Sequence, residues 1–191
     1  MKNLKTIAIA LVAALGTITA TAQEKKINTS KSEIEWVGKK VTGQHSGVIS
    51  FKSGTLKFSG EKLTGGKFIV DMTSVTVTDI KAGEGKEKLE GHLKADDFFG
   101  TDKHATATLA FKRIKRNAND VYTVTADLTI KGITKPVKFD IKVNNSNNTA
   151  TTTFEVNRTK YDIKYGSGSF FDGLGDKTIN DNFELTVNLQ F

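Results

Sequence analysis

The sequence predicts an all-β fold, an antiparallel eight-stranded barrel with a short helix and one long loop. Three observations predict it. Apolar residues recur at every second position through most of the chain, which puts them on one face of half-buried strands. Clusters of Gly, Asn, Asp and Ser separate these runs at hairpin-sized intervals, and a chain of about eight such strands closes on itself to remove its edges. Only the stretch from Gly85 to Ala95 changes to a spacing of four.

Residues 1–22 read as a secretory signal peptide. Lys2 and Lys5 form a basic start, Ile7 to Leu15 is an apolar run too short to span a bilayer, and Ala20-Thr21-Ala22 is a small-residue cleavage signal. One domain follows, residues 23–191. Ile34 with Trp36, Leu56 with Phe58, and Phe68 with Val70 and Met72 give its first alternating strands. Lys52-Ser53-Gly54 and Gly65-Gly66 read as turns among them. Leu89 and Leu93, four apart among charges, predict about two turns of helix within Gly85 to Ala95. Leu109 with Phe111 resumes the alternation, and Tyr122, Val124, Ala126, Leu128 and Ile130 continue it. The clearest strand holds Val137, Phe139, Ile141 and Val143 against Lys138, Asp140 and Lys142, with the sole proline, Pro136, at its start. Asn117 to Asp120, Lys131-Gly132 and Asn144 to Asn148 are the turns of this half. The Gly- and Asp-rich segment from Tyr165 to Asp181 reads as the long loop, and Phe183, Leu185, Val187, Leu189 and Phe191 form the last strand.

Composition excludes several functions. An exported chain with no Cys has neither disulfide nor thiolate chemistry, so packing must hold it. Removing Lys2 and Lys5 lowers the formal charge from +7 to +5, and the remaining lysines are scattered, which describes a solvated surface better than a nucleic-acid patch. His45, His92 and His104 match no metal-ligand spacing, and Asp172, Asp176 and Asp181 lack that of a calcium loop. Gly60 to Lys67 misses a phosphate-loop spacing by one residue and reads as a hairpin. No nucleophile elbow is present, so no cofactor, no metal and no catalytic activity are expected.

Five stretches resemble the YceI-like family, exported bacterial lipocalin-like proteins associated with polyisoprenoid binding. They are Lys40 to Gly47, Leu63 to Met72, Lys88 to Phe99, Leu128 to Val137, and Asn157-Arg158 through Tyr165-Gly166-Ser167, in order over nearly the whole of residues 23–191. Ala105 departs from the pattern, which carries a proline there. The resemblance implies a lipocalin-like barrel with a helix across one region and an apolar channel for an amphiphile's tail.

On that implication the inward wall includes Trp36, Phe51, Phe58, Phe68, Phe111 and Phe154, with Tyr122 and Phe139. Sequence alone leaves a barrel filled by these side chains equally open. A tail of about twenty carbons gains on the order of 16 kcal/mol against water, at roughly 0.8 kcal/mol per methylene, whereas one charge-assisted hydrogen bond to a head group nets only about 1.5 to 3 kcal/mol. The mouth candidates are His45 and Arg158, with Tyr165, Phe170 and Phe171 around the opening, and Asp71, Phe98 and Phe99 complete the ligand-binding candidates. Arg158 is expected to pair with Asp71 or Asp96, or to meet an anionic head group.

The leading expectation is a periplasmic or secreted protein that sequesters or carries a polyisoprenoid or another long-chain amphiphile, with transient contact to an anionic membrane surface. The alternatives are a secreted interaction or stress-response module with a filled barrel, and a small-barrel enzyme acting on a lipophilic substrate.

Overall fold

The computed structural model describes residues 22–191. Its strands are β1 (Ala22–Lys26), β2 (Glu33–Lys40), β3 (Gly43–Ser59), β4 (Lys62–Val77), β5 (Thr106–Arg116), β6 (Val121–Ile130), β7 (Ile133–Asn144), β8 (Thr149–Asn157) and β9 (Ile179–Gln190). Helix α1 (Lys86–Lys94) lies between β4 and β5. Each strand from β2 to β8 pairs antiparallel with the next, and β2 pairs back onto β9, so eight strands close an antiparallel barrel. Register shifts in the β3–β4, β5–β6 and β2–β9 ladders tighten the coil that closure needs.

The alternation read from the sequence is the inward parity. Tyr122, Val124, Ala126, Leu128 and Ile130 of β6 are buried, as are Phe139, Ile141 and Val143 of β7. The helix falls where the spacing of four places it, with Leu93 buried and the Glu90 carboxylate accepting from Thr76 Oγ1 and, at 2.8 Å, from Val77 N. Those two bonds fasten α1 onto β4. The signal-peptide reading falls outside the described residues except for Ala22, which begins β1.

Four details differ from expectation. β1 is a ninth strand, polar and without alternation, held by its ladder to the far half of β3 from Ala22↔Ser59 to Lys26↔Thr55. It shares one edge of β3 with β2, so nothing in its side chains announces it. Lys52-Ser53-Gly54 and Gly65-Gly66 are not turns but strand interior. A Cβ on Gly54 would stand 2.5 Å from Phe68 Cδ1, and one on Gly66 2.7 Å from Phe111 Cε2. Both glycines exist to let a phenylalanine ring lie against bare backbone. The hairpin itself turns at Gly60, with φ 59°. Finally, Pro136 is the fourth residue of β7 rather than its first, and β7 pairs with β8 only over Lys142–Asn144 with Thr149–Thr151. The proline therefore sits on an edge that β8 leaves unpaired, where its missing donor costs nothing.

Candidate functional site

The barrel interior is neither solid nor a continuous tunnel. A central void of about 70 Å³ is bounded by Phe51, Phe68, Phe111, Phe139 and Phe154 together with aliphatic side chains. These rings form a belt. Centroids lie 5.9 Å apart for Phe51–Phe68, 5.7 Å for Phe68–Phe111, 6.0 Å for Phe111–Phe139 and 4.6 Å for the stacked pair Phe139–Phe154. Phe111 reaches Phe139 across β6 because the intervening inward residue is Ala126, paired in register with Phe111 and Val137. Thr152 is the lone polar residue of the lining, and its hydroxyl donates to Asp140 O at 2.6 Å, which leaves no donor for the void. Such a space favours hydrocarbon over water. At about 24 cal/mol per Å³, an empty 70 Å³ forgoes on the order of 1.7 kcal/mol of stability that a hydrocarbon occupant would restore.

A second void of about 60 Å³ lies one inward layer higher, lined by Trp36, Ile49, Phe98, Phe99, Phe183 and Arg158 among others. Trp36, Ile49 and Phe183 each stand two residues from Ile34, Phe51 and Leu185 of the central lining, so the two spaces are consecutive layers of β2, β3 and β9. Above it, sharing Trp36, Gly38, Leu93, Phe98 and Ile179, is a mouth cavity of about 100 Å³ under α1. The mouth adds Lys39, Lys40, His45 and His92 to that apolar floor. Trp36 holds its place at the neck through Nε1, which donates to Thr76 O at 3.3 Å. Gly47 makes this possible, since a Cβ there would stand 1.8 Å from Thr76 O and 2.8 Å from Trp36 Cε2.

The two histidines at the mouth are already partnered. His45 Nδ1 lies 2.9 Å from Asp79 Oδ2, and His92 Nε2 lies 3.3 Å from Asp97 Oδ2. Burial works to raise the Asp79 carboxyl, but the Ser46 N–H and His45 outweigh it and hold it below the ordinary aspartate value.

Arg158 pairs with neither Asp71 nor Asp96. Its side chain is 2% exposed, and Nε donates to Asn180 O at 3.0 Å, Nη1 to Ile163 O at 2.9 Å and Tyr165 O at 2.8 Å, and Nη2 to Ile179 O at 3.0 Å. The carboxylate facing it, 3.8 Å away, belongs to Asp181. Four of the five guanidinium donors are thus spent on carbonyls at the two ends of the long loop, residues 162–178. Burial lowers the Arg158 pKa, and Asp181 opposes that shift. Asp181 in turn accepts from Ser167 Oγ and Ser169 Oγ, each at 2.6 Å. The pair clamps the loop, and its sequence signal was an inward cation whose true partners are backbone carbonyls, two of them close in sequence and two more than twenty residues on.

The other expected site residues separate by place. Phe51, Phe68, Phe111 and Phe154 surround the central void, Trp36, Phe98, Phe99 and Arg158 the upper one, and Trp36, His45 and Phe98 the mouth. Phe58 is buried but borders none of these spaces; it stacks on Phe191 at 5.3 Å with Lys25 Nζ 5.2 Å above its ring, closing the far end. Asp71 also lies away from them, where Oδ1 accepts from Thr73 N and Thr73 Oγ1. Tyr165, Phe170 and Phe171 are exposed on the loop. Sequence reasoning passed over Leu185, Val187 and Leu189 of β9 as wall residues, although their parity was visible. Among the described residues, no group of three His, Asp or Glu is placed to hold a metal ion, and no helix is long and apolar enough to cross a membrane.

A closed antiparallel barrel with an apolar, layered interior and a helix across its mouth is a lipocalin-like fold. Residues 26–191 match the YceI-like domain, and the chain belongs to that family. A UPF0312 protein of Staphylococcus epidermidis is 32% identical over 157 residues, covering 75% of this chain and 86% of the relative. A UPF0312 protein of Pectobacterium atrosepticum is 33% identical over 73 residues, and that match spans only 38% of the length of each. Among solved structures, Burkholderia cenocepacia BcnA superposes with a TM-score of 0.69 at 21% identity, over 85% of this chain and 98% of the other. A polyisoprenoid binding domain from Saccharophagus degradans, implicated in plant cell wall breakdown, superposes with a TM-score of 0.58 at 13% identity, over 86% and 95%. At these identities the likeness is one of fold.

Proposed function

We propose that this protein is an exported carrier that holds the hydrocarbon tail of a polyisoprenoid or similar long-chain amphiphile inside its barrel, without catalysing a reaction. One observation carries the reading: three apolar-floored spaces stacked from the mouth to the phenylalanine belt, whose inner two hold as polar side chains only Arg158, Asn180 and Thr152 and of which the mouth alone adds lysines and histidines. Membership of the YceI-like family and the fold shared with a polyisoprenoid binding domain support it. In this reading Phe51, Phe68, Phe111 and Phe154 flank the tail, Trp36, Phe98 and Phe99 form the neck, and His45 with Lys39 and Lys40 faces the head group. A long tail needs more room than the separate voids offer, so it joins them by turning the rings between them.

The gain of roughly 0.8 kcal/mol per buried methylene is measured against water. Against a bilayer it nearly vanishes, because lipid tails are as apolar as the wall. Such a barrel exchanges its cargo with membranes and does not trap it. The test is to purify the protein from the exported fraction without detergent, extract it with organic solvent and weigh the extract by mass spectrometry. A stoichiometric long-chain species is expected; protein that is reproducibly empty overturns the reading.

A further inference from the structure

The mouth end carries a surface that the voids do not account for. Among the described residues, the exposed large apolar side chains are Val41 at 63%, Phe170 and Phe171 at 50% each and Tyr165 at 47%. All four gather at one end of the barrel. Val41 tips the β2–β3 hairpin and its N–H donates to Thr178 O, 3.2 Å away, at the close of the long loop. Tyr165 lies near the start of that loop, packed edge-on against His92 at 4.4 Å between centroids. Phe170 and Phe171 sit on a turn whose two N–H groups donate to Ser167 O.

These side chains are held in place. Arg158 grips carbonyls on both sides of the loop, Asp181 caps Ser167 and Ser169 within it, and Ile179 N donates to Gly166 O at 2.8 Å across its base. Presenting half-exposed rings on a clamped loop costs little further ordering when they are buried by contact with something else.

Lysines accompany the apolar tips. Lys39 and Lys40 immediately precede Val41, Lys177 precedes Thr178, and Lys164 precedes Tyr165 with its Nζ 5.2 Å from the Phe170 ring centroid. Lys164 also pairs with Asp162 at 2.7 Å, and Asp172 and Asp176 share the loop, so the local charge there is mixed, whereas the lysines beside Val41 are unpaired among the described residues. Aromatic rings set beside long cationic side chains suit the head-group region of a bilayer, where rings lie at the boundary and ammonium groups reach the phosphates.

We propose that this end docks transiently on a phospholipid surface, with Val41, Phe170 and Phe171 entering the boundary and Lys39 and Lys40 meeting phosphates. The proposal deepens the carrier reading and rests on it for its purpose: a tail passing from bilayer to mouth avoids the exposure to water that makes free exchange slow. Docking needs no cargo, however, so it is tested separately.

The experiment is co-sedimentation of the protein, purified as cells process it and stripped of lipid, with vesicles of phosphatidylcholine containing phosphatidylglycerol and with vesicles of phosphatidylcholine alone. Wild type is expected to sediment with the mixed vesicles, less so at high salt as its lysine contacts are screened. Phe170→Ser with Phe171→Ser should weaken partitioning about tenfold or more, since both rings lose their insertion. Val41→Ser, on a different element, should weaken it less, and Lys39→Gln with Lys40→Gln should remove most of the salt dependence. Thermal melts of the variants should match wild type, because every substituted side chain is exposed. Wild type that ignores both vesicle types, or a Phe170/Phe171 double variant that sediments like wild type, overturns the proposal, as does capture of a protein through the same tips without vesicle binding. Cargo in the solvent extract with no vesicle binding would sink docking and leave the carrier reading standing.

Discussion

Replacing Val187 with Phe probes the central void directly. Val187 lies on β9 opposite Ile34 of β2 on one side and Thr152 of β8 on the other, and all three line that void. The ring adds four carbons to the valine side chain, and it has a space of about 70 Å³ to enter, room for about five water-sized groups. If each added carbon displaces one methylene of a bound tail, at about 0.8 kcal/mol each, affinity falls by about 3 kcal/mol, or roughly 100-fold. The fold should not suffer. Filling the void recovers up to about 1.7 kcal/mol, so the melting temperature should hold or rise. The assay titrates lipid-stripped protein with an isoprenoid alcohol of about twenty carbons and follows fluorescence of Trp36, the sole tryptophan, which lines the neck and mouth. A well-folded variant that binds within about twofold of wild type would refute the placement of the tail in this void.

Other parts of the structure give further tests. Arg158→Met leaves four carbonyls without their donor, and urea unfolding should show a loss of about 3–5 kcal/mol; a loss below about 1 kcal/mol would mean that the clamp contributes little. Gly47→Ala places a Cβ 1.8 Å from Thr76 O, so strands β3 and β4 must part, costing about 1–3 kcal/mol or more and shifting Trp36 fluorescence; an unshifted, equally stable variant would contradict the close approach. The hydrogen bond from the Thr76 hydroxyl, then that from Val77 N–H, hold the Glu90 carboxyl below its ordinary value of 4.5. Because the folded-state value is the lower one, this stabilisation is complete above about pH 4.5 and is lost as pH falls through the folded value. The stability gap between wild type and Glu90→Gln should therefore narrow on acidification below that pH, and a gap independent of pH would exclude the helix anchor.

The barrel was legible because its inside is dry and its outside wet, which writes a period of two into β6, β7 and β9. The same parity put Phe51, Phe68, Phe111 and Phe154 on the inward face, and in the structure they border the central void. It also assigned Phe58 to the wall, since parity tells which face a residue occupies and not how far along the barrel it lies. β1 was invisible because its Ala-Gln-Glu-Lys-Lys sequence has no apolar alternation and its order comes from the ladder to β3. Gly54 and Gly66 were read as turns because a glycine that makes room for a ring looks, in sequence, like one that bends the chain. The Arg158 partners were beyond reach for another reason: its acceptors are main-chain carbonyls as far off as Asn180, and a carbonyl has no residue type to recognise.

The most direct measurement is a crystal structure of the protein saturated with an isoprenoid alcohol of about twenty carbons. Continuous tubular density running from beside Trp36 and Phe98 down to the belt of Phe51, Phe68 and Phe111, with those rings turned aside, is the predicted result. Density confined to the outer surface, with the belt unmoved and the central space still empty, would contradict the account.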